Sequence, residues 1–293
     1  MPRFEPHPER RAAIVTGASS GHGAAIALRL AAAGHPVVLG ARRVDRLAEL
    51  AAKIVADGGE ALALALDLTD GESIATFARR AEAQMGPIEI LVSNAGDVQP
   101  ITTLADPAEF TRQLQVNLLG AQALVHAVVP AMVGRRRGDV VFVTSEVAEE
   151  PRTHMAAYVA SKAGLEGYAR AMAMECEGTG VRVGIVRPGP SSTEQGTTWD
   201  ETTINTVVAS WYRWGLLRHD GAIRPAEFAD AVLAVVSAPK GTRYALLEVQ
   251  PEAPVAGDAV LTAPVEGEQP VQTDATDQTD QTDQTDLEGE GDA

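Results

Sequence analysis

The chain has 293 residues, 45% of them hydrophobic, which is enough for one large α/β domain with a filled core. Its formal net charge of −16 is concentrated at one end, because thirteen of the 40 acidic residues lie between Glu248 and Asp292, after the last basic residue, Arg243. The body therefore carries 27 acidic against 24 basic residues and is nearly neutral. This balance argues against a nucleic-acid-binding protein, and we expect no nucleic-acid partner.

Short apolar runs alternate with longer amphipathic runs from residue 12 to residue 249. The runs are mostly apolar throughout rather than alternating, which is typical of strands buried on both faces of a parallel sheet. We therefore predict one α/β domain at residues 11–250, with a doubly wound parallel sheet of about seven strands (a Rossmann fold). Strands are predicted at residues 12–16, 36–40, 61–66, 88–93, 139–144, 181–186 and 244–249, and helices at residues 24–33, 44–56, 70–85, 106–133, 155–175 and 225–236.

Two predicted helices begin with recognisable capping residues. Thr69 and Glu72 have the spacing of a capping box, so Thr69 is predicted to be the N-cap of the third helix. Asp106 followed by Pro107 predicts the start of the long fourth helix, with proline at its first position.

Both ends of the chain differ in character from the body. Residues 1–10 are predicted to be flexible. Residues 251–293 form an acidic tail that includes a Thr-Asp repeat, TDATDQTDQTDQTD, at residues 273–286. Few apolar residues are available to offset chain entropy there, so we predict disorder. A metal site among the aspartates is the alternative, but we favour a solvating tail and expect no metal.

The single cysteine, Cys176, cannot form an intramolecular disulfide, which fits a reducing compartment. It is predicted to be a small buried side chain. The apolar runs are strand-sized, and the one after Arg10 and Arg11 is too short for a signal peptide. We expect a cytoplasmic protein that does not enter a membrane.

A glycine-rich turn, TGASSGHG at residues 16–23, joins the first strand to the first helix. Glycines allow a sharp turn and a close approach to a pyrophosphate, whose charge is stabilised at the helix N-terminus. A plain tight turn is the alternative, but the position after the first strand of a doubly wound sheet favours dinucleotide binding. The predicted cofactor residues here are Gly17, Ser19, Ser20, Gly21, His22 and Gly23.

The residue after the second strand usually selects between NAD(H) and NADP(H). This chain has Arg42 and Arg43 there, and a guanidinium can hold a 2′-phosphate through charge-assisted hydrogen bonds. We therefore predict NADP(H) over NAD(H), although both arginines could simply begin a solvated helix. Asp67 and Leu68, at the end of the third strand, are predicted to contact the adenine ring.

Tyr158 and Lys162 are one helical turn apart, so they share a face of the predicted helix at residues 155–175. An unperturbed tyrosine ionises near pH 10, and a nearby ammonium and an oxidised nicotinamide would stabilise its phenolate. Ser145, after the fifth strand, could donate a hydrogen bond to a substrate oxygen. Taken singly, each residue could equally be structural.

Together with the glycine turn, these residues resemble the short-chain dehydrogenase/reductase family over about residues 12–249. The family's Asn-Ala-Gly motif follows the fourth strand, its tetrad asparagine lies in the next helix, and its Pro-Gly turn and nicotinamide-binding threonine follow the sixth strand. These positions are matched by Asn94, Ala95, Gly96, Asn117, Pro188, Gly189 and Thr193.

The resemblance implies hydride transfer between a nicotinamide and a carbonyl or alcohol carbon. Tyr158 would pass the proton, Ser145 would stabilise the oxygen, Lys162 would bind the nicotinamide ribose, and Asn117 would hold a water. His22 departs from the family, which mostly has an aliphatic residue there. It could be a pH-sensitive phosphate contact, although a packing residue is favoured.

All three tryptophans, Trp199, Trp211 and Trp214, lie between residues 193 and 224, where the family covers its substrate. They predict a lid over an apolar or ring-containing carbonyl compound, with packing inside the protein or between subunits as the alternative. The leading hypothesis is an NADP(H)-linked carbonyl reductase or alcohol dehydrogenase. A cofactor-binding scaffold without turnover and an NAD(H)-dependent alcohol dehydrogenase are the alternatives. The resemblance also suggests a homodimer or homotetramer.

Overall fold

A computed structural model describes residues 7–8, 10–194 and 199–254 of the chain. Nearly all of the predicted tail, most of residues 1–10, and residues 195–198 of the substrate-covering segment lie outside these ranges. The described chain forms one parallel sheet of seven strands in the order β3-β2-β1-β4-β5-β6-β7. This arrangement confirms the predicted doubly wound fold. The strands are β1 (Ala12–Thr16), β2 (Val37–Ala41), β3 (Ala61–Ala65), β4 (Ile88–Ser93), β5 (Gly138–Val143), β6 (Val181–Pro188) and β7 (Leu246–Val249).

Helices cover both faces of the sheet, so the strands are buried on two sides. Along β1, Ile14 packs into one hydrophobic core while Ala13 and Val15 pack into the other. This alternation follows from the two-residue period of a strand. The helices are α1 (Gly21–Ala32), α2 (Val44–Ala56), α3 (Gly71–Met85), α4 (Pro107–Leu114), α5 (Gly120–Gly134), α6 (Ala156–Glu175), α7 (Glu201–Arg213) and α8 (Pro225–Ser237).

The predicted cap of α3 is wrong by one residue. Asp70 is the N-cap, and its carboxylate accepts a hydrogen bond from the backbone N–H of Glu72 at 2.9 Å. The Thr69 hydroxyl instead donates to the carboxylate of Asp67 at 2.7 Å. A charged acceptor makes the stronger hydrogen bond, so the threonine is held by Asp67 rather than by the helix.

The long helix predicted at residues 106–133 is interrupted in its middle. It begins as predicted, with the Asp106 carboxylate accepting from the N–H of Ala108 at 2.8 Å. A π-helical turn at Gln115–Leu119 then separates α4 from α5. Immediately after it, a methyl group added at Gly120 would lie 2.4 Å from the carbonyl oxygen of Leu68. Such wide turns cluster at functional sites because they turn side chains inward.

By length and composition alone, the helical run from Pro107 to Gly134 could cross a membrane, since its mean hydropathy reaches 1.6 over 18 residues. From the sequence, this run was predicted to be a helix of the domain and not a membrane-spanning segment. In the fold, α5 lies against the sheet and contributes Leu124, Val128 and Met132 to the core. One face of α5 is therefore buried in the core, whereas Val133 at its end is exposed.

Helix α7 was not predicted. Asp200 caps it by accepting from the N–H of Thr203 at 2.9 Å, but Val207 is the only buried residue of the helix. From the sequence, its residues were assigned only to the substrate-covering segment, without secondary structure.

A buried ionic cluster lies at the opposite end of the sheet from the glycine turn. Asp139, at the amino end of β5, has a side chain only 4% exposed. Its carboxylate accepts from Arg11, and from Nε of Arg182 at 2.6 Å. One carboxylate thus neutralises two arginines that have little access to water.

We expect Asp139→Asn to lower the free energy of unfolding by about 3–5 kcal/mol, because it leaves two cations without their shared counter-charge. Urea denaturation measures the change. Asp230→Asn is the control, since Asp230 pairs with Arg29 at the surface and should cost under about 1 kcal/mol. Similar losses in the two variants would contradict this account of the cluster.

Candidate active site

The glycine turn between β1 and α1 is packed so closely that side chains cannot be added to it. Gly17 has a φ of +67°, and a methyl group added there would lie 2.9 Å from Cα of Ala95. A methyl group at Gly23 would lie 2.3 Å from the carbonyl oxygen of Gly17. The turn thus brings the N-terminus of α1 to the carboxyl edge of the sheet, as an anion-binding turn requires.

Thr16 fastens this turn to the next strand, although it was not among the residues predicted from the sequence. Its hydroxyl accepts from the backbone N–H groups of Asn94 at 3.0 Å and Ala95 at 2.9 Å. The side-chain amide of Asn94 donates to the carbonyl oxygen of Thr16 at 2.8 Å. The ends of β1 and β4 are therefore joined at the edge where a ligand binds in such sheets. The position of Thr16 directly before the first glycine was the available signal.

Tyr158 and Lys162 are brought together on α6 as predicted, and both are buried. Lys162 is 2% exposed and Tyr158 is 6% exposed. The ammonium of Lys162 lies 5.6 Å from the centroid of the Tyr158 ring and donates to the carbonyl oxygen of Val143, at the end of β5, at 3.0 Å. Ser145 follows two residues later, is buried, and accepts from the N–H of Val147 at 3.4 Å.

Asn117 lies inside the protein because of the π-helical turn. Its side-chain oxygen accepts from the N–H of Asp97 at 2.7 Å, and its amide donates to the carbonyl oxygen of Asp97 at 2.8 Å. The same amide donates to the hydroxyl of Ser161, the neighbour of Lys162, at 3.0 Å. A methyl group added at Gly96 would lie 3.4 Å from the Lys162 ammonium. Asn117 thus fastens the loop after β4 beside Lys162.

The two arginines after β2 are placed differently. Arg43 donates to the hydroxyls of Ser19 at 3.0 Å and Ser20 at 2.7 Å, so its guanidinium lies against the glycine turn. Arg42 is exposed, and its charge acts on Asp67 at the end of β3. Hydrogen bonds from Thr69 are the main reason that the pKa of Asp67 lies below its ordinary value. Of the two cations, Arg43 is the one held at the turn.

The remaining predicted cofactor residues lie along the same edge. Leu68 is buried after β3. Pro188 ends β6, and Gly189 follows, donating its N–H to the carbonyl oxygen of Val249 at 2.8 Å. Thr193 reaches back across the groove, since a methyl group added at Gly21 would lie 3.3 Å from its Cβ. The groove is therefore bounded by the glycine turn on one side and the segment after β6 on the other.

Two of the three tryptophans pack against the buried apolar cluster that includes Tyr158. Val98, Val147, Met155 and Tyr158 form one buried apolar cluster, against which Trp199 and Trp211 pack. The indole N–H of Trp199 donates to the carbonyl oxygen of Val98 at 3.4 Å, and that of Trp211 donates to the carbonyl oxygen of Thr153 at 2.9 Å.

Trp214 lies outside this cluster and is 63% exposed. The guanidinium of Arg213 lies 5.5 Å from the centroid of its ring. The structure therefore does not bring Trp214 to the site, because α7 ends at Arg213 and leaves the indole at the surface. Val98, Val147 and Met155 were not predicted as site residues. Val98 lies in the loop after β4, Val147 in a short 3₁₀ turn after β5, and Met155 at the N-cap of α6. An isolated apolar residue at such a position gives no periodic signal.

A second ionic cluster fixes α6 against the sheet. Glu166, two turns after Tyr158 on α6, is buried with Arg187 of β6, and their side chains are joined by hydrogen bonds of 2.8 and 2.9 Å. The hydroxyl of Thr144, the residue before Ser145, donates to Glu166 at 2.9 Å. Hydrogen bonding to Glu166 is the main reason that the pKa of Arg187 is raised. The helix that carries Tyr158 and the loop that carries Ser145 thus share one anchor.

His22 is neutral within the glycine turn. Its ring stacks on Phe228 with centroids 4.2 Å apart. Burial, assisted by the charge of Lys162, lowers the pKa of His22 to about 4 from an ordinary value of 6.5. These contacts favour the packing role over a pH-sensitive phosphate contact near neutral pH.

The lowered pKa makes a prediction about stability. Unfolded His22 takes up a proton near pH 6.5, whereas folded His22 resists protonation down to about pH 4. His22 should therefore destabilise wild type progressively as pH falls from 6.5 to 4. Urea denaturation at several pH values measures the free energy of unfolding of His22→Ile and of wild type. As pH falls from 6.5 to 4, the variant should become progressively more stable relative to wild type. Ile26→Val, a change without a titrating group in the same helix, should show a constant difference. A constant difference for His22→Ile as well would contradict the assignment.

Comparison with known proteins agrees with this geometry. A family model described as short chain dehydrogenase matches residues 11–203. The 2,3-dihydro-2,3-dihydroxybenzoate dehydrogenase of Bacillus subtilis is 34% identical over 240 residues, which cover 80% of this chain and 91% of that protein.

Solved structures share the fold over most of the chain. A metagenomic short-chain oxidoreductase in complex with NADP is 34% identical, with a TM-score of 0.70, and the match covers 83% of this chain and 97% of that one. A 7α-hydroxysteroid dehydrogenase complexed with NADH and 7-oxo glycochenodeoxycholic acid is 28% identical, with a TM-score of 0.71, covering 82% and 92%. The chain belongs to the short-chain dehydrogenase/reductase family of nicotinamide-dependent oxidoreductases.

Proposed function

We propose that this oxidoreductase uses NADP(H) to interconvert a carbonyl compound and a secondary alcohol. The observation that carries the proposal is that Tyr158 and Lys162 are both buried and that Lys162 binds Val143, the last residue of β5. Ser145 follows Val143 by two residues. A phenol, an ammonium and a hydroxyl at one edge of the sheet can move a proton and hold a developing oxyanion.

The residues present fit a dinucleotide. Gly17 and Gly23 leave no room for a side chain, and the N-terminus of α1 offers free N–H groups to a pyrophosphate. Asp67, Leu68, Asn94 and Thr193 line the rest of the groove in our proposal. When bound, the nicotinamide supplies or accepts the hydride.

The protein's own side chains would do the proton chemistry. In the reducing direction, Tyr158 gives its hydroxyl proton to the substrate oxygen, while the Ser145 hydroxyl donates a hydrogen bond to the same oxygen. Lys162 stabilises the phenolate that remains and holds the nicotinamide ribose. Asn117, whose side chain also binds the loop at Asp97, would hold a water that links Lys162 to solvent.

The substrate class follows from the apolar cluster around Tyr158. Val98, Val147 and Met155 form one buried apolar cluster with Tyr158, and Trp199 and Trp211 pack against it, which suits an apolar or ring-containing compound. The two similar dehydrogenases described above are named for ring compounds, a dihydroxybenzoate derivative and a hydroxysteroid. We propose a cyclic alcohol or ketone as the substrate.

We also propose a cytoplasmic homodimer or homotetramer built on α5 and α6. The lone cysteine, Cys176, is buried and free, in keeping with a reducing compartment. Leu119, at the start of α5, exposes about half of its side chain, which a partner subunit could cover.

Tyr158→Phe should lower turnover of a cyclic ketone by about 10²–10⁴-fold, because the proton donor is lost. Binding of NADPH, followed by its fluorescence, should change little. Tyr168→Phe on the same helix is the control, since Tyr168 packs edge-on against Phe142 and away from the apolar cluster. Undiminished turnover by Tyr158→Phe would refute the assignment, and absence of turnover by wild type across a graded panel of ketones would favour the scaffold alternative.

The cofactor preference can be tested at the two arginines. Arg43→Asp should shift the ratio of NADP(H) to NAD(H) affinity by about tenfold or more toward NAD(H), because a carboxylate repels the 2′-phosphate and can bind the 2′-hydroxyl. Arg42→Asp should shift it less, because Arg42 is not held at the turn. A wild-type preference for NAD(H), with no effect of either change, would support the NAD(H)-dependent alternative.

A further inference from the structure

A carboxylate from the segment after β6 lies among the cations that begin α2. Glu194 accepts from Nη1 of Arg46 through both oxygens, each at 2.8 Å, and from Nη1 of Arg43 at 3.2 Å. These three side chains therefore form a bridge across the groove, from the β6 side to the β2 side.

Arg43 is also held in this position by two serines of the glycine turn. Its Nε and Nη2 lie 3.1 and 3.0 Å from the Ser19 hydroxyl, and Nη2 lies 2.7 Å from the Ser20 hydroxyl. Its remaining nitrogen, Nη1, donates a hydrogen bond to the Glu194 carboxylate. The guanidinium is thus fixed at the glycine turn with one N–H directed at an anion.

The segment that carries Glu194 is itself seated on the turn. The Thr193 N–H donates to the carbonyl oxygen of Ser191 at 3.1 Å. The Cβ of Thr193 would lie 3.3 Å from a methyl group added at Gly21. The hydrogen bond from Arg46 is the main reason that the pKa of Glu194 is lowered, so the carboxylate is ionised at neutral pH.

A cofactor 2′-phosphate at Arg43 would need the same donors as this carboxylate. One N–H cannot serve both acceptors well, and two anions at one guanidinium repel each other. We propose that Glu194 is an internal competitor of the 2′-phosphate and sets how strongly the protein prefers NADP(H) over NAD(H). This inference rests on the proposed placement of the 2′-phosphate at Arg43.

The competition should be moderate in size. All three side chains are between 42% and 49% exposed, and exposed ion pairs are weak. NADP(H) can therefore displace Glu194 from Arg43, but the displacement weakens its binding. NAD(H) has no 2′-phosphate and does not need to displace Glu194. Glu194 should act on the affinity for the phosphate alone.

The test uses adenosine 2′,5′-bisphosphate and adenosine 5′-monophosphate (AMP), which differ only in the 2′-phosphate and lack a nicotinamide, with binding measured by calorimetry on the full chain. Glu194→Gln should bind the bisphosphate about three- to tenfold more tightly than wild type, while AMP affinity stays within about twofold. Glu49→Gln is the control, because it removes the same charge from an exposed position on α2. It should leave both affinities unchanged.

Arg43→Gln separates this inference from the proposed function. If Arg43→Gln fails to weaken the bisphosphate selectively, the 2′-phosphate does not bind at Arg43 and its proposed placement is wrong. If Arg43→Gln weakens the bisphosphate but Glu194→Gln leaves it unchanged or weaker, the competitor role of Glu194 is refuted. In the double variant, the gain from Glu194→Gln should shrink, because the contested donor is gone.

Discussion

The ammonium of Lys162 is the constraint on which the carboxyl edge of the sheet depends. Lys162 is 2% exposed, and a buried charge needs partners. The protein supplies the carbonyl oxygen of Val143 and the electron-rich ring of Tyr158. Gly96 lies beside the ammonium, since a methyl group added there would be in contact with Nζ at 3.4 Å. The buried cation thereby ties together α6, the end of β5 and the loop after β4.

A second group of charged side chains holds α6 in place against β5 and β6. Glu166 lies one further turn along the same face of α6 and pairs with Arg187 of β6, while Thr144 binds it from the end of β5. Because these groups are buried, their geometry is costly to disturb. The same edge supplies the glycine turn, fastened to β4 by Thr16. The residues proposed for catalysis and cofactor binding are thus positioned by contacts among the strand ends and the loops that follow them.

The sequence contained most of the fold and part of the site. Apolar runs broken by helices predict a parallel sheet because burial on both faces leaves a strong pattern, and Tyr158 and Lys162 share a face by helical spacing alone. The π-helical turn that contains Asn117 was not predicted, because the residues on both sides of it follow one helical pattern. Nor could spacing distinguish Arg43 from Arg42, or Trp211 from Trp214, because their environments are set by distant residues.

The central claim is that Tyr158, supported by Lys162, handles the proton beside a bound nicotinamide. A crystal structure with NADP⁺ and a cyclic secondary alcohol tests it most directly. The account predicts that Oη of Tyr158 and Oγ of Ser145 both lie about 3 Å from the alcohol oxygen, with the Lys162 ammonium at the nicotinamide ribose. A structure in which another titratable group contacts that oxygen while Tyr158 stays packed among Val98, Val147 and Met155 would contradict it.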